Sequence, residues 1–299
     1  MKFVITGGAG FIGSHIVKHL LSKNHEVTVV DNFSRGRLEN LSGFEEKIEF
    51  KKIDILDFDS LKNIISDSDG IFHQAALTSV PESFIQKEKY QNVNVDGTEN
   101  IFKLAKELEK KVVYASSSSV YGNTSVTPIT EDFDKNPINP YGITKLDDEK
   151  LAKKYHDLGV SIIGLRYFNV YGIGQTNDYA GVITKFFDQI KLNQSPIVFG
   201  DGSHTRDFVS VEDVAKANLL SMESNTEFSF LNIGTGIPTS VKDLAQLMIN
   251  LSEKSLEIKY DKLPQGDVKE SLADVSLAKK LIGWNYEISL KDGLKKFFF

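Results

Sequence analysis

The sequence predicts an α/β fold, a doubly wound parallel sheet that carries a smaller α/β lobe. Three observations predict it. A glycine-rich turn, Thr6-Gly7-Gly8-Ala9-Gly10-Phe11-Ile12-Gly13, lies directly between an apolar strand and a helix with apolar periodicity. Short apolar runs then alternate with helical stretches, the rhythm of βαβ units. The strands are also continuously apolar, as they must be when both faces of a sheet are covered.

The elements follow in order. Residues 2–6 read as a buried strand and 10–22 as a helix, with Phe11, Ile12, Ile16, Val17, Leu20 and Leu21 on its apolar face. Residues 26–31 form a second strand through Val27, Val29 and Val30, and 48–53 a third. A helix over 61–65 precedes a fourth strand at 70–72. A long helix over 93–109 leads to a fifth strand at 112–115, and a helix over 141–156 to a sixth at 160–165. After about Asn169 the rhythm changes. Residues 181–192, 211–222 and 241–251 read as helices, 200–207 as a polar, turn-rich loop, and 228–233 as a strand returning to the sheet. Short helices over 273–282 and 290–298 close the chain, and Phe297-Phe298-Phe299 is expected to bury the last of them. The expected division is a cofactor-binding domain over 1–172, rejoined by 207–235. A smaller lobe for the substrate takes 173–206 and 236–299.

Composition narrows the function. The 299 residues are 40% hydrophobic and 25% charged, ordinary for a globular chain. A formal net charge of −6 argues against broad nucleic-acid or membrane binding, which a basic face would supply. There is no cysteine, and the six histidines lack metal-ligand spacing, so no metal site is expected. The chain opens into a strand rather than a basic, apolar leader, and a cytoplasmic location is expected. Arginine is scarce: Arg35, Arg37, Arg166 and Arg206 are all there are. Each position is therefore informative, since arginine is the best bidentate phosphate ligand.

The glycine turn carries the first chemistry. Gly7, Gly10 and Gly13 fit G-x-x-G-x-x-G, and Gly8, Gly10 and Gly13 fit G-x-G-x-x-G. Glycines there let backbone approach a pyrophosphate, and the helix N-terminus adds unpaired N–H groups and a favourable dipole. Strand before and helix after make the fingerprint of a Rossmann-type dinucleotide site. Asp31 ends the second strand, where a carboxylate grips ribose hydroxyls and repels a 2′-phosphate, so NAD is expected rather than NADP. Arg35 and Arg37 follow closely and soften that repulsion. Asp54 and Ile55, after the third strand, suit an adenine, the alternative for Asp54 being a helix N-cap.

Tyr141 and Lys145 are spaced i, i+4 at a helix start and share a face. A free tyrosine titrates near 10, and a neighbouring ammonium favours the phenolate that a general base needs. Ser116 to Ser119 end the fifth strand, at the sheet edge where open α/β folds bind ligands. A hydroxyl there can share a substrate proton with Tyr141.

These stretches resemble the extended short-chain dehydrogenase/reductase family, and within it the nucleotide-sugar enzymes of the UDP-glucose 4-epimerase branch. The matching motifs are TGGAGFIGSH from Thr6, DNFSRG from Asp31, DILD from Asp54, HQAA from His73, NVDGTEN from Asn94, SSSVYG from Ser117 and PYGITK from Pro140. RYFNVYG from Arg166, FGDGSHTRDFVSVEDVA from Phe199, NIGTG from Asn232 and GDVKESLAD from Gly266 continue the match over essentially the whole chain. The resemblance implies that Tyr141 is the base, that Lys145 orients the nicotinamide ribose, and that Ser117 is the assisting hydroxyl. It places Phe11, Ile12, Asn32, Ser34, Gly36, Gln74, Ala75, Ala76, Thr78, Asn94, Ser116 and Tyr167 around NAD. It places Ser119, Asn169, Val182, Phe199, Arg206, Asp267 and Ser271 around a UDP-sugar. For Arg206 a surface ion pair with Asp207 is the alternative. His73 reads as a packing residue at a strand end. Relatives often carry an arginine just before the turn at Gly266; here the stretch is Lys262-Leu263-Pro264-Gln265, with Lys262 or Lys269 as the substitute. A homodimer built on the helices over 93–109 and 141–156 is implied by the same resemblance.

Three reaction classes follow. A 4-epimerase oxidises the sugar at C4, lets the 4-keto sugar turn over, and returns hydride to the other face. A UDP-glucuronate 4-epimerase is a neighbouring variant. A 4,6-dehydratase or a decarboxylase shares the first oxidation but uses acidic residues after the assisting hydroxyl, where this chain has Ser118 and Ser119. A non-catalytic NAD-binding module would be expected to lose Tyr141 or Lys145, and both are present. The expectation is 4-epimerisation of a UDP-hexose. The resemblance also aligns Ser271 with a sugar-pocket position where a small side chain leaves room for a 2-acetamido group, so N-acetylated sugars are expected as substrates too, the alternative being that Ser271 faces solvent or caps a turn.

Overall fold

The computed structural model describes residues 1–124, 126–175, 181–262 and 270–299. Its main sheet has seven strands: β1 (Lys2–Thr6), β2 (Glu26–Val30), β3 (Ile48–Lys51), β4 (Gly70–His73), β5 (Lys111–Ser117), β6 (Ile162–Tyr167) and β10 (Phe228–Ile233). They lie in the order β10-β6-β5-β4-β1-β2-β3, every pairing parallel. The chain leaves β1 first toward β2 and later resumes on the other side at β4. That reversal opens a crevice at the carboxyl ends of β1 and β4, the standard ligand position of such sheets.

Helices cover both faces, which is why the strands are apolar throughout. On one side lie α1 (Phe11–Ser22) and α8 (Val211–Glu223), burying Ile16, Val17, Leu20, Val214, Ala217 and Met222 around Trp284. On the other lie α2 (Phe58–Ser66), α5 (Gly97–Glu107) and α6 (Pro140–His156), burying Leu61, Ile65, Ile101, Phe102, Ala105, Ala152 and Tyr155. The helix starts are chemically marked. Asp57 accepts from the Ser60 amide at the head of α2, and Asn139 from the Gly142 amide at the head of α6, where Pro140 opens the first turn.

The structure differs from the sequence expectation in places. The helix expected from residue 93 is α-helical only over Gly97–Glu107; a π-helical turn, Gln91–Asp96, precedes it. Before that turn come two short helices that periodicity did not show, α3 (Val80–Ile85) and α4 (Lys87–Tyr90). The expected loop over 200–207 gives way at Thr205 to β9 (Thr205–Ser210), the centre of a second sheet. Around β9 lie β7 (Asn169–Tyr171), β11 (Pro238–Ser240) and β13 (Glu270–Ser271). Strands of two or three residues leave no readable period.

A separate apolar cluster fills this part of the molecule. It joins α7 (Val182–Lys191), β8 (Ile197–Phe199) and α9 (Val241–Leu251) through Ile183, Phe186, Ile190, Val198, Leu244 and Met248. Phe297 and Phe298 pack edge-on against Phe187, so the aromatic end buries the last helix as expected, while Phe299 stays exposed.

Candidate active site

The glycine turn makes a backbone cradle. Gly7 has φ +69°, and a Cβ there would meet the Ala75 amide nitrogen at 2.6 Å. A Cβ on Gly13 would run into the Gly7 carbonyl oxygen. Glycine is thus required both by the turn and by the approach of α1 to it. Gly10 precedes α1 without capping it through a side chain, which leaves first-turn N–H groups for an anion. Asp31 is buried and accepts from the Ala9 amide at 3.0 Å and the Phe33 amide at 2.8 Å. Burial raises its carboxyl above the usual range against those two bonds. The aspartate therefore braces the turn while lining the crevice.

Two adjoining cavities sit at this edge. The smaller, about 80 Å³, is lined by Gly7, Gly10, Asp31, Asn32, Ser34, Arg35, Gly36, Ile55, Gln74, Ala75 and Ala76. Its wall is apolar at Ile55 and Val93 and polar at Asp31 and Asn32, which suits an adenosine. Asp54 stands behind it. Its carboxylate accepts from the Leu56 amide and from Asn32 Nδ2, and Asp57 is the residue that caps the following helix. The residues present thus fit a dinucleotide, with a glycine cradle, open helix amides and an apolar slot in one line.

The larger cavity, about 1120 Å³, brings together Phe11, Ile12, Gly13, Thr78, Ser116, Ser117, Ser119, Tyr141, Lys145, Tyr167, Asn169, Val182, Phe199 and Arg206. Tyr141 and Lys145 lie on the first turns of α6. A Cβ on Gly142 would meet the Ser119 carbonyl oxygen at 2.8 Å, so the serine turn packs directly against the helix start that carries Tyr141. Ser117 Oγ donates to Ser119 Oγ at 3.0 Å and accepts from the Ser119 amide at 3.1 Å, which orders both hydroxyls. Among the described residues the Tyr141 hydroxyl makes no hydrogen bond to protein. Tyr167 is the opposite case. Its phenol donates to Gln74 Oε1 and accepts from Asn218 Nδ2, and burial pushes its titration well above the usual tyrosine range. Tyr141 is therefore the phenol left for a substrate.

Other expected residues stand outside the cavity wall. Asn94 is buried, with its amide exchanging bonds with Leu77 N and O and donating to Thr144 Oγ1. It holds the wall rather than lining it. His73 sits between Thr6 and Thr98 hydroxyls at 2.6 and 2.9 Å. Burial, helped by the Lys145 charge, pushes it down to about 3, so it is a neutral packing residue. Ser271 pairs with Arg206 across β13 and β9 but is not among the described residues that line the cavity. Asp267 and Lys269 lie outside the described residues.

The chain matches the NAD dependent epimerase/dehydratase family over residues 3–234. It belongs to that family. A solved UDP-N-acetylglucosamine 4-epimerase from Methanobrevibacter ruminantium, in complex with UDP-N-acetylmuramic acid, is 37% identical. Its TM-score is 0.95, with 99% of this chain and 96% of that one covered. A UDP-glucose 4-epimerase from Thermotoga maritima, solved with UDP-glucose, is 35% identical with TM-score 0.93, covering 99% and 96%. A UDP-N-acetyl-alpha-D-glucosaminuronate decarboxylase of Bacillus cytotoxicus is 33% identical over 308 residues, 99% of this chain and 96% of that protein.

This epimerase/dehydratase family member uses its arginines unequally. Arg166, buried on β6, donates to Glu149 through Nε and Nη2 at 2.8 Å and to the Tyr121 hydroxyl at 2.7 Å. It ties the sheet to α6 and is no phosphate ligand. Arg35 donates to both carboxylate oxygens of Glu82 at 2.6 Å. Arg206 lines the cavity and bonds the Thr205 carbonyl. The alternative pairing with Asp207 is not seen, because the Asp207 carboxylate accepts from Thr235, Gly236 and Ala273. Sequence reasoning missed Lys185, which lines the cavity from α7, and Asp148, which lies beneath Lys145. Helical spacing of Lys145 and Asp148 was the available signal for the latter.

Proposed function

We propose that the chain is an NAD-dependent 4-epimerase of UDP-hexoses that interconverts UDP-glucose and UDP-galactose and accepts their 2-acetamido counterparts. One observation carries this reading. Tyr141, with no protein partner among the described residues, stands with Lys145 and two ordered serine hydroxyls in one cavity. Asp188 is the one carboxylate among the described residues that line it. Elimination of a 6-hydroxyl needs an acid and a base beyond Tyr141, and Ser118 and Ser119 do not supply them.

Bound NAD would supply the hydride acceptor for the sugar C4 and would be regenerated within each turnover. Gly7, Gly10, Gly13 and the first amides of α1 hold its pyrophosphate, and Asp31 and Ile55 bound the adenosine end. Tyr141 takes the proton of the 4-hydroxyl and gives it back to the epimeric alcohol. Ser117 holds that hydroxyl in line. Lys145 binds the nicotinamide ribose and carries its positive charge on the same helix face as Tyr141. Arg206 and Lys185 face the diphosphate, with Asn169 beside them. Residues 1–172 with 207–235 hold the cofactor, and 173–206 with 236–299 form the sugar-nucleotide lobe. The enzyme acts as a cytoplasmic homodimer, with α5 and α6 of two chains packed together.

The test is incubation with a panel of UDP-sugars and product analysis by NMR, with absorbance followed for NADH. Interconversion of C4 epimers with no net NADH is expected. Stoichiometric NADH, loss of carbon dioxide from an acidic sugar, or a 6-deoxy product would overturn the reading.

A further inference from the structure

Asp148 is a charged residue in an unusual place. It lies on α6, three residues after Lys145, and its side chain is fully buried. Lys145 Nζ donates to its Oδ2 at 3.1 Å, and the ammonium is itself almost fully buried. The other oxygen, Oδ1, has no hydrogen-bond partner. A buried carboxylate oxygen left unbonded costs free energy that a plain structural ion pair would avoid.

The surroundings decide what such a carboxylate does. On its own helix the charged neighbours are Lys145, Asp147 and Glu149. Glu149 is already neutralised by Arg166 from β6 and bonded to Ser116 from β5. From β5 comes the buried Tyr114 hydroxyl, also without a partner, and burial raises its titration well above the usual range. From β4 comes His73, neutral between two threonines. From α5, Glu99 is occupied by Lys103, Lys154 and Tyr155. Lys145 is therefore the cation that Asp148 can compensate.

We infer that Asp148 is a positioning residue for the epimerase reaction: it holds the Lys145 ammonium and meters how much of its positive charge acts on Tyr141. The inference rests on the reading of Tyr141 as the base and Lys145 as its electrostatic partner. When Asp148 is ionised it compensates the ammonium, and the phenolate of Tyr141 is less favoured. When Asp148 carries a proton, the ammonium acts in full and the phenolate is more favoured. Burial pushes the Asp148 carboxyl up to about 7, against the pull of Lys145. The compensation thus changes across the neutral range.

The sign gives the test. Asp148→Asn removes the negative charge, keeps the shape and leaves the ammonium uncompensated. The acid limb of kcat/KM should then move to lower pH by about one unit, the scale of one charge roughly 10 Å away, seven residues along a helix, at an effective dielectric of about 20. Asp148→Val, without any polar atom, should move it the same way. Asp148→Glu should return it toward wild type. The same shift should appear in ultraviolet titration of the holoenzyme, taken as the difference from Tyr141→Phe. Superimposable limbs, or a shift to higher pH, would overturn the inference. Should both charge-free variants fail to fold, carboxyl carbon NMR of the wild-type holoenzyme decides it. The resonance assigned to Asp148 must titrate near neutrality, and its titration below about 5 overturns the inference. Failure of the underlying function reads differently: the wild type turns over no UDP-sugar, while the tyrosine titration still reports on Asp148.

Discussion

The cofactor wall and the sugar wall of the active cavity are built by different means. The proposed cofactor wall is largely backbone, the turn after β1 and the segment after β4 at Gln74 and Ala75, with the side chains of Asp31, Asn32 and Ile55 beside it. The proposed sugar wall is side chains from distant segments that line the larger cavity: Asn169 on β7, Val182 and Lys185 on α7, Phe199 on β8 and Arg206 on β9. Backbone amides cannot be exchanged by point substitution, whereas side chains can. Tyr141 and Lys145 stand where the two walls meet.

Substitutions at that junction should separate chemistry from binding most strongly. Tyr141→Phe removes the proton acceptor and leaves the ring, so kcat should fall by about 10²–10⁴-fold with bound NAD retained. Absorbance of the purified protein and steady-state rates check both halves. A rate above about a tenth of wild type would mean that another group is the base.

The next effect falls on the frame behind both walls. Glu149→Gln leaves Arg166 buried without its charge partner, which should cost about 3–5 kcal/mol of stability. A lower midpoint in urea unfolding is expected, and an unchanged midpoint would remove this pair from the frame.

On the cofactor wall alone, Gly13→Ala should lower NAD retention and cost about 1–3 kcal/mol, since the added methyl meets backbone. Sugar-wall substitutions should leave NAD retention alone. Arg206→Ala should raise KM for UDP-sugars by about tenfold, the scale of one lost charge-assisted bond, with cofactor content unchanged. If NAD is lost as well, the two walls are not independent.

The smallest effect on shared chemistry is expected at Ser271. Ser271→Tyr should block UDP-N-acetylglucosamine while sparing UDP-glucose, because Ser271, not itself on the cavity wall, is in register with Arg206, which is, and a ring there would lie beside it. Equal loss of both substrates, or of neither, would place the sugar gate elsewhere. Wild-type turnover of UDP-glucose with none of UDP-N-acetylglucosamine would end the open-pocket reading.

The same contrast explains what was readable. Gly7, Gly10, Gly13, Asp31, Tyr141 and Lys145 act through spacings of a few residues, so turn geometry and helical period place them without a fold. The alternation of apolar strands and helices likewise determined the parallel sheet, because a strand buried on both faces must be apolar throughout. Other assignments needed distance in three dimensions. Arg166 and Arg206 are the same residue type, yet Glu149 and Tyr121 claim one for the interior, while β9 carries the other to the cavity. Asp207 lies next to Arg206 in sequence, but its carboxylate is satisfied by Thr235, Gly236 and Ala273. Asp148 looks like one of three acids on a solvated helix until α6 docks and buries it beneath Lys145. Local period and turn chemistry were set by the chain itself. Which charges left water, and which partners they met there, was decided only by packing between segments tens of residues apart, since desolvation depends on the whole surrounding shell.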